Sequence, residues 1–239
     1  MENPSLVRTP LDFLPHNKEY IVIASLPKNS VSLAVKAQES GADAVILNID
    51  GDDGAHPSHL GSYDLHDAYI NDVISTISIP CGIFIGGAKP LAEEYWERIM
   101  SSRFGFVEMY AHQMPLFVLS DARVKKIAAV ATGYILEQVK YLSQTEGVEA
   151  LDSATVPAQA RGTAFSALDY ATLGVIVNLS SKPVLLRTQK RLSRLDLAMV
   201  MKLGVKGLVV DPAILSGADE TYREELTSLS PRRQDTGQQ

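Results

Sequence analysis

Four carboxylates and one arginine stand inside or at the ends of short apolar runs, where a charged side chain is costly unless it is paired or functional: Asp50, Glu108, Asp152, Asp211 and Arg187. Glu108 is the sharpest case, lying in mid-run in Phe106-Val-Glu-Met-Tyr-Ala-His112 between aromatic and apolar neighbours. Two carboxyl groups in unequal surroundings can supply both an acid and a base, while an arginine offers a planar fork for a carboxylate or phosphate. His112, at the end of the same run, is a third candidate for moving a proton. The catalytic candidates are therefore Glu108, Asp152 and His112, and the candidate ligand contacts are Asn48, Asp50, Tyr110, Arg161, Arg187 and Asp211. A ring holding Asp50, Glu108, Asp152 and Asp211 needs cations: Arg187 is one, and a divalent metal such as Mg or a cationic substrate would be another. Structural alternatives stay open, namely a Glu108–Arg187 pair, turn caps for Asp152 and Asp211, and a loop histidine without a role for His112.

The elements that must position these residues alternate between strand and helix signals. Strands are expected at 20–26, 43–49, 81–86, 105–111, 126–132, 148–153, 183–188 and 207–211, each a short β-branched or apolar run. Between them lie helical periodicities over 30–40, 67–78, 90–102, 114–122, 134–144, 165–179 and 192–203, several closed by Gly41, Pro80 or Gly204. Eight strands in 239 residues give about 30 residues per unit, the length of a βα repeat, and predict one α/β domain, a single (β/α)8 TIM barrel with parallel strands. An open doubly wound sheet would carry a glycine fingerprint after its first strand, where this chain reads Ser25-Leu-Pro-Lys-Asn29. Residues 1–18 read as an N-terminal arm and 230–239 as a flexible tail.

Alternation along the strands then assigns directions. Val107 and Met109 suit the helix layer, which turns Phe106, Glu108, Tyr110 and His112 toward the barrel axis or its mouth. The same parity turns Asn48 and Asp50 inward, with Asp152, Arg187, Gln189 and Asp211 from later strands and Ser25 from the first. Function in this architecture sits at the carboxyl ends of the strands, so these residues converge where a site belongs. Cys81 begins its strand at the opposite pole and reads as packing.

Two loops are long enough to matter. Residues 50–66 carry aspartates and histidines, lack EF-hand spacing, and are expected to cover the mouth as a mobile lid. Ala154 to Thr163 is rich in small residues with one charge, Arg161, and suits a loop that closes over an anion.

Composition limits the partners. The chain is 46% hydrophobic with a formal net charge of −6 and no basic footprint for nucleic acid. No apolar stretch reaches the roughly 18 residues of a membrane span. One cysteine, Cys81, makes no internal disulfide, and with no signal-like start a cytoplasmic location is expected.

The runs Ala37-Gln-Glu-Ser-Gly-Ala-Asp-Ala-Val45 and Lys202-Leu-Gly-Val-Lys-Gly-Leu-Val-Val-Asp-Pro-Ala-Ile214 resemble the repeats of the phosphate-binding, ribulose-phosphate-binding-like TIM barrels over most of the chain. That group places glycines after strands seven and eight to cradle a phosphate. Here those positions read Arg187-Thr-Gln-Lys-Arg191 and Asp211-Pro-Ala-Ile-Leu215, so anion capture would fall to the side chains of Arg187, Lys190 or Arg191. Asp50-Gly-Asp-Asp-Gly54 is faintly similar to the metal loop of phosphoenolpyruvate mutase and isocitrate lyase barrels, without their downstream motifs. Ile79-Pro-Cys-Gly-Ile83 resembles the BtpA-like barrels, some of which are biogenesis factors. The expected function is a lyase or isomerase acting on a small anionic metabolite, with a homo-oligomer as the expected assembly. The alternative is a non-catalytic barrel that binds a ligand or a partner.

Overall fold

The computed structural model describes residues 20–51, 61–87, 89–210 and 219–230. Eight parallel strands close into one barrel in sequence order: β1 Ile21–Ser25, β2 Ala44–Ile49, β3 Cys81–Ile85, β4 Phe106–Tyr110, β5 Lys125–Ala131, β6 Val148–Ala154, β7 Val184–Arg187 and β8 Gly207–Val210. The seam is the parallel pairing of β1 with β8, Ile21 opposite Gly207 and Ile23 opposite Val209. The helices are α1 Val31–Glu39, α2 Tyr63–Thr76, α3 Glu93–Ile99, α4 Leu116–Ser120, α5 Leu136–Gln144, α6 Ala167–Leu179, α7 Arg194–Lys202 and α8 Asp219–Leu229, with a short 3-10 helix at Ala158–Ala160. The expected barrel is therefore what the chain forms.

Strand parity splits the apolar residues into two cores. The larger lies between barrel and helices and takes Val45, Leu47, Val107, Met109, Val184 and Leu186 against Trp96, Leu173 and Val200 of the helices. The smaller fills the barrel itself with Ile21, Ile23, Ile46, Phe84, Phe106, Ile127, Leu185 and Val209. Gly82 makes this inner filling possible, because a Cβ there would lie 2.2 Å from the Phe106 ring. Burying a side chain of this size stabilises by about 1.5–3 kcal/mol, so the two layers account for the strands being closed and continuous.

Three expectations are corrected. Helix α2 begins at Tyr63, earlier than residue 67, because Ser62 leaves the loop in extended backbone and Asp64 suits the first turn. Strand β6 runs on to Ala154, so Asp152 is in mid-strand and not a turn cap. Helix α8 went unread because its apolar positions, such as Tyr222 and Leu226, are sparse among charges; both are buried, and the Tyr20 hydroxyl donates to Leu229 O at 2.9 Å. Residues 1–18, 52–60 of the long loop, Asp211, and the expected tail beyond Ser230 lie outside the described residues. Among the described residues no helix is long and apolar enough to cross a membrane.

Candidate functional site inside the barrel at β4, β6 and β7

Glu108, Asp152 and Arg187 meet inside the barrel. Their strands are distant in sequence, but the register aligns Tyr110 of β4 with Ala129 of β5, and Ala129 with Asp152 of β6. The inward positions beside them are small: Ala129, Ala131, Ala150 and Ala154 leave the volume that the long side chains of Glu108 and Arg187 fill. Arg187 Nε donates to Asp152 Oδ2 at 2.7 Å, and Arg187 Nη2 donates to Glu108 Oε1. All three side chains have zero exposure. Beneath the guanidinium lies Phe84, with Cζ 5.5 Å from the ring centroid, so the cation is held by two carboxyl groups and an aromatic face.

The arrangement is unbalanced. Glu108 Oε2 and Asp152 Oδ1 are buried and have no hydrogen-bond partner. With both carboxylates ionised the triad would carry one uncompensated negative charge in a region shut off from water, which low dielectric opposes. Burial pushes the Asp152 carboxyl well above the usual carboxylate range, and the Glu108 charge adds to this against the opposing pull of Arg187. Asp152 thus keeps its proton to higher pH than a free carboxyl group does. The two carboxyl groups stand beside one guanidinium and within hydrogen-bond reach of each other.

Above the triad the loops after β6 and β7 are zipped together. Gln189 Oε1 accepts from Val156 N at 3.0 Å, Gly162 N donates to Gln189 O at 2.9 Å, and Arg191 N donates to Thr163 O at 2.9 Å. Lys190 Nζ donates to Asp169 Oδ2 at 2.7 Å, and the same carboxylate caps α6 by accepting from Ser166 N. Burial of the neighbourhood opposes ionisation of Asp169, but bonds from Lys190 and Ser166 outweigh it and hold its carboxyl below the usual range. The zip brings Arg161, Lys190 and Arg191 to neighbouring loop positions. It also buries Gln189 completely, with Nε2 lacking a partner.

The other expected residues divide sharply. Tyr110 is inward and buried, edge-to-face with Phe84 at 5.7 Å. His112 is exposed beyond β4, its ring 5.7 Å from Tyr110. Asn48 faces inward, but its amide is committed to Leu26 O at 2.8 Å and Ser25 Oγ at 3.2 Å, so it braces β1 against β2. Asp50 departs from the parity that sent it inward: its φ of 47° turns the side chain to the helix layer, where Oδ2 accepts from the Tyr95 hydroxyl at 2.7 Å. Gly86 fixes that bend, since a Cβ there would lie 2.2 Å from Asp50 O. Arg161 is half-buried just after the 3-10 helix. Among the described residues no group of three or more His, Cys, Asp or Glu side chains stands close enough to hold a metal ion. Parity had already turned Gln189 inward and could have promoted Phe84 to the site; nothing in the period of the sequence marks Tyr134, which bonds His112 from the loop after β5.

No protein-family model and no curated protein matches the chain. Solved structures do. The N-acetylmannosamine-6-phosphate 2-epimerase from Clostridium perfringens is 14% identical over 90% of this chain and 94% of its own, with a TM-score of 0.60. Thiamine phosphate pyrophosphorylase from Pyrococcus furiosus is 18% identical over 89% and 94%, TM-score 0.59. Phosphoribosyl anthranilate isomerase from Thermus thermophilus is 15% identical over 87% and 96%, TM-score 0.62. The resemblance to phosphate-binding TIM barrels holds at the level of the fold.

Proposed function

We propose that this barrel is an enzyme of the lyase or isomerase kind, transferring a proton on a small anionic metabolite that carries a carboxylate or phosphate. The observation that carries the reading is the buried carboxyl pair inside the barrel on β4 and β6, with the Asp152 carboxyl pushed well above the usual range and one oxygen of each group unpartnered. In this reading Glu108 is the base and Asp152 the acid. Arg187 orients the pair; with its Nε and Nη2 committed to the carboxyl groups and Lys190 committed to Asp169, the anion is held by the loop cations Arg191 and Arg161. The triad is closed to solvent, so entry requires the loop after β6 to part from the loop after β7. Support for a phosphorylated substrate comes from the fold likeness to an epimerase and an isomerase named for phosphorylated compounds. The full burial of the triad also favours a second reading, a barrel that binds a ligand or partner without turnover.

Solvent-deuterium exchange separates the two without knowledge of the product. Aldose and ketose phosphates and 2-oxo and 2-hydroxy acids are incubated with the protein in D2O and followed by proton NMR. The expected result is deuterium wash-in next to a carbonyl for at least one compound, lost in Glu108→Gln and in Asp152→Asn proteins that remain folded. Saturable binding of a compound with no wash-in on the wild type would support the non-catalytic barrel.

A further inference from the structure

The hydroxyl of Tyr134 makes two contacts, both with His112: it accepts from the His112 backbone N–H at 2.9 Å and lies 2.7 Å from Nδ1. A phenol has one proton to give, and among the described residues Nδ1 is the acceptor within its reach. With the phenol proton given to Nδ1, that nitrogen is the bare one and the ring's own proton sits on Nε2. Burial raises the tyrosine's pKa, against the opposing bond from His112 N–H, so the phenol keeps its proton. The His112 ring is further held between Tyr110 at 5.7 Å and Tyr134 at 5.9 Å, the latter edge-on with an 82° interplanar angle. Nε2 has no protein partner among the described residues, and the side chain is exposed at the mouth. Rings then follow inward from His112 through Tyr110 and Phe84 to the guanidinium of Arg187.

We propose that Tyr134 is a positioning residue that locks His112 in the Nε2–H form, presenting one fixed N–H donor at the barrel mouth to an oxyanion of the ligand. A histidine free to exchange tautomers presents a donor only part of the time; a locked one is preorganised and loses no orientation on binding. A neutral imidazole offering Nε2–H suits a phosphate or carboxylate oxygen, and cannot act as a base through that nitrogen. This deepens the proposed function and rests on the mouth being an anion site, whereas the tautomer itself does not.

The test is a long-range proton–nitrogen NMR spectrum of histidine-labelled protein at pH 8, with the His112 signals assigned by His112→Gln. The expected wild-type pattern is a protonated Nε2 and a bare Nδ1. Tyr134→Phe, which removes the hydroxyl but keeps the ring, should convert His112 to a mixed pattern while the other four histidines stay unchanged. A protonated Nδ1 in the wild type, or the same Nε2–H pattern in Tyr134→Phe, would overturn the lock. Titration with inorganic phosphate should then shift the Nε2 resonance saturably in the wild type and more weakly in Tyr134→Phe. No saturable shift would overturn the oxyanion as its partner. Loss of wash-in activity with the tautomer intact would fault the proton-transfer reading alone.

Discussion

Two sides of the same barrel bury polar side chains in opposite ways. On the β1–β2 side, Asn48 donates to Leu26 O and Ser25 Oγ, and Asn29 bonds both the N–H and the C=O of Asn48, at 3.0 and 2.8 Å. That network is neutral, and the Asn48 amide is satisfied at both ends. Across the barrel, Glu108, Asp152 and Arg187 are charged or titrating, and two of their oxygens have no partner. A protein that can satisfy buried polar groups so fully on one side has no structural reason to leave them unsatisfied on the other. The difference is that the first network braces the strands with its amide satisfied, while the second sets two carboxyl groups against each other beside one cation.

The comparison breaks most visibly at Arg187. Arg187→Met leaves Glu108 buried without its cation, so denaturant unfolding should show a loss of about 3–5 kcal/mol. On the satisfied side, Asn48→Ala removes the bond to Leu26 O and should cost about 1–3 kcal/mol by the same measurement, less than Arg187→Met. If the two losses were equal or reversed, the charged side would be no more finely balanced than the neutral one.

Acidity sharpens the contrast further. Because the folded-state pKa of Asp152 is raised, the native chain binds its proton over a range where the unfolded chain has released it. The contribution is fully present below about pH 4, the unfolded value, and is lost as pH rises toward the folded value. Unfolding free energies of the wild type minus those of Asp152→Asn should therefore fall with pH across that window. A flat difference would mean that Asp152 is ionised in the native state. The smallest effect belongs to Tyr134→Phe, which should change stability by about 1 kcal/mol or less while altering the histidine tautomer.

Much of this was legible in the sequence, and the exceptions have physical causes. The regular βα period predicted the closed barrel, and the period-two alternation around Val107 and Met109 correctly turned Glu108 inward. Parity also brought Asp152 and Arg187 to it, because all three lie within regular strands. It failed at Asp50, one residue past β2, where a positive φ set by the close backbone of Gly86 breaks the alternation. Asn48 faces inward as parity predicts, but its bonds to Leu26 and Asn29 are not legible in the sequence, since those partners belong to the loop after β1, which no periodicity describes. Tyr134 escaped for the same reason: its bond to His112 joins two loops. Nor does alternation reveal that Arg187 is committed to two carboxyl groups, which is a matter of side-chain reach.

The central claim is that burial holds a proton on the Asp152 carboxyl well above the usual carboxylate range. Infrared difference spectroscopy reads this directly through the carbonyl stretch of a protonated carboxyl group in D2O at pH 7. The account predicts such a band in the wild type, absent from Asp152→Asn and titrating away at lower pH in Glu108→Gln, where Arg187 faces the Asp152 carboxyl alone. A wild-type spectrum with no protonated carboxyl at pH 7, both groups ionised around Arg187, would contradict it.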